Sequence, residues 1–205
     1  MNHFWSRLFD TGWQTSPFHL IAVAWLAWVV SWMLAAAWSR QTSSRASIAD
    51  QAPYRIVTGL GVILLFGFFD LERPAIEWPA SDALAWAMLA LVITGFAFAW
   101  WARLHLGALW SGAITRKEDH RIVDTGPYGL VRHPIYTGLI LSAFATAIAR
   151  GRIEALAGAV LFALGCWMKA RVEERFLAEG LGEAAYAGYR ARVPMLIPFT
   201  KGRAA

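Results

Sequence analysis

One cysteine, Cys166, stands among 205 residues, so the chain forms no internal disulfide and no multi-cysteine metal site. Charge is scarce: Asp, Glu, Lys and Arg make up 16% of the chain, where a soluble domain carries about 25%. There is no G-x-S-x-G elbow, no P-loop and no G-x-G-x-x-G, which removes the usual serine-hydrolase, NTPase and dinucleotide signatures. No internal repeat and no low-complexity tract is present. The net charge of +5 does not form a basic stripe on a polar face; the basic residues flank apolar runs, which speaks against a nucleic-acid partner.

What is abundant is apolar surface, 58% of residues, gathered in runs. Phe18 to Trp38 is apolar over 21 residues apart from His19 and Ser31, enough at about 1.5 Å per residue to cross a hydrocarbon core of about 30 Å. Further spans are expected over Tyr54 to Leu71, Ala83 to Ala102, Pro134 to Ala149 and Ile153 to Trp167. The last two, joined by Arg150-Gly151-Arg152, predict a helical hairpin. Polar, helix-breaking connectors are expected at Gln41 to Pro53 and Asp70 to Asp82. The first span is too long, and its flank too poor in basic residues, for a cleaved signal peptide. The expected fold is all-α and polytopic, with about five transmembrane helices and a C-terminal helical segment. It forms one domain over 1–205: three spans in 18–103, then a functional region in 104–205.

Lys and Arg placement predicts the orientation. With the N-terminus outside, the outer segments carry Arg7, Arg73, Arg150 and Arg152, and the inner segments carry the other fifteen. Both large polar regions, 103–133 and 168–205, then share the inner, cytosolic face. Trp5, Trp13, Trp38, Trp78, Trp100, Trp101, Trp110 and Trp167 fall near span ends, as an interfacial aromatic belt would.

Polar chemistry converges on that face. The stretch 104–136 holds His105, His120 and His133, the turn signal Gly126-Pro127, and Pro134 at the mouth of the fourth span, where its missing N–H is not needed. The positive end of that helix favours an anionic group. The fifth span runs out into Lys169, Arg171, Glu173 and Glu174, and Lys169 and Glu173, four apart, share a helix face. Taken alone, such a charged end is commonly a solvated helix terminus. The three histidines lie 15 and 13 residues apart and match no compact zinc motif, so no metal is expected. Cys166, inside a span, is expected to pack and not to react.

Leu106-Gly107, Trp110-Ser111, His120-Arg121-Ile122-Val123, Gly126-Pro127-Tyr128 and Arg132-His133-Pro134-Ile135-Tyr136 occur in order, followed by Glu173-Glu174, Leu177, Gly182, Tyr186, Tyr189 and Val193-Pro194. Over about residues 104–199 this set resembles the isoprenylcysteine carboxyl methyltransferase family and its wider group, which includes phospholipid N-methyltransferases. The resemblance implies S-adenosylmethionine as methyl donor, leaving S-adenosylhomocysteine. It implies donor contacts from His120, Arg121, Ile122, Val123, Tyr128, His133, Pro134, Ile135, Tyr136 and Glu173, with Glu173 and Lys169 as the catalytic pair. In the prenylcysteine enzymes an arginine four residues before that glutamate faces the acceptor; here the position is Lys169, which keeps the charge and loses the bidentate fork. The implied acceptor is a lipid-like or prenylated carboxylate from the bilayer, with a phospholipid or small amine as the alternative. A membrane reductase of the sterol-reductase type carries a related RHP-x-Y, but the residues around Tyr136 argue against nicotinamide. A non-catalytic membrane protein is the remaining reading. The composition suggests a prokaryotic cytoplasmic membrane. The segment Leu177 to Pro198 is expected to fold back beneath the pocket, because Tyr186, Tyr189 and Val193 are too apolar for a free tail.

Overall fold

The computed structural model describes residues 16–35, 42–45, 47–68, 76–107, 110, 115–117 and 122–200. Five long helices carry the architecture: α1 Pro17–Ala35, α2 Ile48–Phe66, α3 Asp82–Leu106, α5 Pro134–Arg150 and α6 Ile153–Leu181. A single turn, α4 Pro127–Leu130, precedes α5, and α7 Glu183–Arg192 follows α6. Each of the five expected spans falls on one of these five helices, although three of the five are long and apolar enough to cross a membrane. One addition is a two-stranded antiparallel ribbon, β1 Thr42–Arg45 with β2 Thr115–Lys117, pairing Arg45 with Thr115.

Local chemistry sets the helix limits. Ser81 caps α3, its Oγ accepting from the N–H of Leu84 at 3.2 Å, and Asp82 complements the dipole. Ser47 caps α2 in the same way, accepting from Asp50 N at 3.1 Å. That cap starts α2 six residues before the expected Tyr54 and carries it through Pro53, so the connector read as ending at Pro53 is partly helical. The proline removes one backbone bond near the helix start, where the capped first turn is already formed. Gly67, at φ +65°, closes α2 before the expected Leu71. Pro134 opens α5, and Gly151, at φ +67°, ends it two residues before α6 begins.

Helix α2 lies along α6, α3 along α5, α5 against α6, and α1 on α3. Close approach requires small residues. A Cβ on Gly138 would collide with the carbonyl of Gly95, and one on Gly158 would lie 2.8 Å from the Gly61 carbonyl oxygen. Such glycine contacts suit helix pairs in lipid, where the hydrophobic effect does not drive association. Leu65, Val92, Phe96, Ala143, Ala159 and Phe162 fill the seam. The outward face of α1 leaves Leu26, Met33 and Leu34 exposed by 65–72%. Pro17–Ala35, Asp82–Leu106 and Ile153–Glu179 are long and apolar enough to cross a membrane, and Pro134–Arg150 is a shorter apolar helix. The chain is an integral, polytopic helical membrane protein.

The tryptophans depart from a simple belt. Trp101 and Trp167 are exposed, but Trp110 is buried beneath the Arg103 guanidinium, 4.3 Å from its ring centroid. Trp25, Trp28 and Trp32 form an aromatic column along α1 with Phe96 and Trp100 of α3. Trp5, Trp13 and Trp38 lie outside the described residues.

Candidate active site

The N-terminal end of α5 and the C-terminal half of α6 meet in a buried polar cluster. Tyr136, in the first turn of α5, donates its hydroxyl to Glu173 Oε1 at 2.6 Å. His133, the residue capping α5, places Nδ1 3.5 Å from Glu173 Oε2 and Nε2 3.1 Å from Glu174 Oε1. Its ring stacks on Tyr136, centroids 5.5 Å apart. Arg132 donates Nε–H to Glu174 Oε1 at 2.7 Å. The two glutamates therefore divide the work by burial. Glu174 is sealed by Arg132 and His133, whereas the Glu173 side chain keeps 19% of its surface open. Lys169, one turn deeper on α6, lies 3.9 Å from Glu173 Oε1, with its ammonium 5.3 Å from the Tyr136 ring and 5.9 Å from Tyr54 of α2. Tyr54 in turn donates to Gln51 Oε1 at 3.1 Å.

Burial alone would lower the His133 pKa; hydrogen bonds to the Glu173 and Glu174 carboxylates overcome it and hold the imidazole above its ordinary value. The ring is thereby favoured as a cation between two anions. Burial pushes the Tyr128 and Tyr189 phenols well above their usual range, so both remain neutral donors.

The C-terminal segment locks this cluster in place. Arg132 N donates to Pro194 O at 2.8 Å, His133 N to Met195 O at 3.1 Å, and Thr137 Oγ1 to Leu196 O at 2.6 Å. The Arg132 guanidinium also reaches the carbonyls of Arg190 and Val193. Tyr189 donates to Tyr128 O at 2.8 Å, and Tyr186, Tyr189 and Val193 pack on Ile122, Leu177 and Ala178. The segment folds back, as its apolar residues require.

Of the residues singled out in the sequence, His133, Tyr136, Glu173 and Lys169 converge directly. Pro134 is buried and Ile135 partly buried at the start of α5. Tyr128 is buried on α4, stacked beside His105, whose Nε2 lies 3.0 Å from Thr125 Oγ1. Ile122 packs against Tyr186, Tyr189 and Val193 of the C-terminal segment, and Val123 is partly buried. His120 and Arg121 lie outside the described residues.

Three groups had no assigned part. Glu174 is the buried anchor of Arg132 and His133. Tyr54 and Gln51 bring α2 to the mouth of the site. Arg103, 1% exposed, donates to Ala35 O at 2.8 Å and Gly107 O at 2.7 Å, tying α1 to the loop that carries Trp110. The signal for Arg103 was available: an ionisable residue at the end of an apolar run is costly unless it serves a purpose.

Residues 88–179 match the model of the isoprenylcysteine carboxyl methyltransferase (ICMT) family. The match covers 92 of the 205 residues. It contains the whole cluster of His133, Tyr136, Lys169, Glu173 and Glu174. Among similar proteins, the protein-S-isoprenylcysteine O-methyltransferase of Schizosaccharomyces pombe (strain 972 / ATCC 24843) is 34% identical over 90 residues, covering 42% of this chain and 36% of its own length. The methanethiol S-methyltransferase of Pseudomonas sp. (strain GM41(2012)) is 39% identical over 83 residues, covering 37% and 29%. The solved eukaryotic intramembrane Ras methyltransferase ICMT overlays with a TM-score of 0.49 at 23% identity, covering 74% of this chain and 54% of that one. The chain spans under half the length of the curated relatives it matches.

Proposed function

We propose that this chain is a membrane methyltransferase that moves the methyl group of S-adenosylmethionine to a lipid-like or prenylated carboxylate from the bilayer. One observation carries the reading. Tyr136 and His133 of the RHP-x-Y run both reach the partly open carboxylate of Glu173, the three side chains that the family resemblance assigns to the donor.

The residues fit such a donor chemically. Glu173 retains acceptor capacity for ribose hydroxyls or an ammonium. The group, when bound, supplies an activated methyl carbon. The chain's own part is to hold, align and dry the reactants. Tyr136 and His133 fix the Glu173 rotamer. Lys169, between the rings of Tyr54 and Tyr136, presents a positive charge to a carboxylate oxygen. A carboxylate acceptor is already deprotonated, so its oxygen attacks without a general base. The Lys169 ammonium holds but does not fork, which accommodates an acceptor other than a prenylcysteine carboxyl. The methanethiol S-methyltransferase likeness makes a small thiol the second reading.

The 15-to-4 division of Lys and Arg supports a cytosolic site with the N-terminus outside. The test is transfer of radiolabelled methyl from S-adenosylmethionine by the full chain in proteoliposomes, offered in parallel a farnesylcysteine carboxylate, its amide, and a short alkyl thiol. Label on the carboxylate and not the amide is the expected result. Label on none of the three, with donor affinity intact, would reject the acceptor assignment.

A further inference from the structure

Helix α6 has two functional faces. At about 100° per residue, Lys169 and Glu173 lie within 40° of each other. Trp167, Arg171, Arg175 and Ala178 project to the opposite side, away from Tyr136 and Tyr54. There the α5–α6 hairpin and the C-terminal strap enclose a groove of about 1450 Å³. Its upper wall is apolar and built from membrane-spanning helices: Ile140, Leu141 and Phe144 of α5 with Ala163 and Trp167 of α6. Its lower rim is cationic, with Arg171, Arg175 and Arg190, and the strap residues Pro194 to Pro198 form the floor. Arg132 and Glu174 also line it but neutralise each other at 2.7 Å. Among the described residues Glu179 is the remaining acidic lining residue, so three guanidinium groups stand there against one carboxylate. Arg171 and Arg175 are exposed, and the Arg171 guanidinium sits 5.7 Å from the Trp167 ring centroid.

We propose that this groove is a docking site for an anionic phospholipid, distinct from the methyl-acceptor site. Charge complementarity selects the head group. Arginine forks match phosphate oxygens two at a time, and three of them leave an excess of positive charge that a zwitterionic head group would satisfy less well. The apolar wall above the arginines, with Trp167 at the junction, matches the passage from head group to acyl chain. The volume exceeds that of drug-sized ligand pockets, about 300–1,000 Å³, as a head group with its upper acyl segments requires. A soluble peptide would not reach the upper wall, which lies on the lipid-facing side of α5 and α6. The bound lipid would pin the strap that hydrogen-bonds Arg132, His133 and Thr137, so occupancy braces the catalytic cluster from behind. The proposal holds whatever the methyl acceptor proves to be.

Native mass spectrometry of the full chain, released from detergent with equimolar phosphatidylglycerol and phosphatidylcholine of identical acyl chains, tests it. Wild type should retain phosphatidylglycerol about tenfold over phosphatidylcholine. The combined change Arg171→Gln, Arg175→Gln and Arg190→Gln should abolish that preference. Arg192→Gln, whose guanidinium pairs with Asp124 outside the groove, should keep it. Melting curves of each protein separate lost binding from lost folding, and the wild-type selectivity stands without any variant. Equal retention of the two lipids by wild type would overturn the proposal, as would a preference that survives the triple substitution. So would a second copy of the chain occupying the groove, seen as a dimer that the triple substitution dissociates.

Discussion

The two ends of the α5–α6 hairpin hold a similar inventory of charged side chains put to different use. At the turn, Arg152 lies 3.4 Å from Glu77 and 3.8 Å from Glu154, with Glu77 58% exposed. Backbone bonds between Trp78 and Gly151 and between Ile153 and Ile76 carry the join. At the opposite end Arg132, His133 and Glu174 are 4–8% exposed and bonded to one another at 2.7–3.1 Å. Burial, not pairing, separates them. Exposed pairs add roughly 0–1 kcal/mol, whereas a buried charge deprived of its partner costs about 3–5 kcal/mol. The Arg152–Glu77 pair at the turn is a surface fastening, and the opposite end is a rigid frame within which Glu173 stays partly open.

Substitutions at the two ends should therefore differ in scale. Arg132→Met leaves Glu174 with His133 as its one cationic partner among the described residues and releases the strap carbonyls of Arg190 and Val193; it should lower stability by about 3 kcal/mol, read by thermal unfolding in detergent. Gly138→Val drives a side chain into the Gly95 carbonyl and should cost about 1–3 kcal/mol in the same assay, with the α3–α5 contact loosened. A melting temperature unchanged by either would dissolve the contrast.

A smaller effect sharpens it through pH. His133 is surrounded by Glu173, Glu174, Arg132 and Tyr136, and its folded pKa is raised. Its contribution is fully present below the unfolded imidazole value of about 6.5 and is lost as pH rises through the raised folded value. The stability gap between wild type and His133→Gln should narrow with rising pH across that window; a pH-independent gap would show that folding does not raise the imidazole pKa. Smallest of all, Glu77→Gln at the turn should shift stability by no more than about 0.5 kcal/mol.

The framework of this contrast was legible in the chain. Long apolar runs marked the five helices, Gly151 between two arginines marked the hairpin, and Tyr186, Tyr189 and Val193 marked a tail that had to bury itself. The ordered motif named His133, Tyr136 and Glu173 together. What escaped depended on tertiary partners. The start of α2 is the exception, since Ser47-x-x-Asp50 is a local cap signature that Pro53 obscured. Glu173 and Glu174 are identical in type and adjacent, and only the approach of Arg132 decides which is sealed. Trp110 looked interfacial until Arg103 covered it. The β1–β2 ribbon joins residues some seventy positions apart, and four polar residues such as Thr42–Arg45 carry no strand periodicity.

The proposed division of labour on α6, with Glu173 holding the donor and Lys169 facing the acceptor, is tested most directly by calorimetric titration of S-adenosylhomocysteine into Glu173→Gln and Lys169→Ala, with a melting curve for each. Loss of one charge-assisted hydrogen bond, about 1.5–3 kcal/mol, should weaken binding roughly tenfold to a hundredfold in Glu173→Gln. Lys169→Ala should bind nearly as wild type while its turnover falls. Wild-type donor affinity in Glu173→Gln, with both variants destabilised alike, would show that the 3.9 Å contact between the two residues is a structural ion pair and would contradict the assignment.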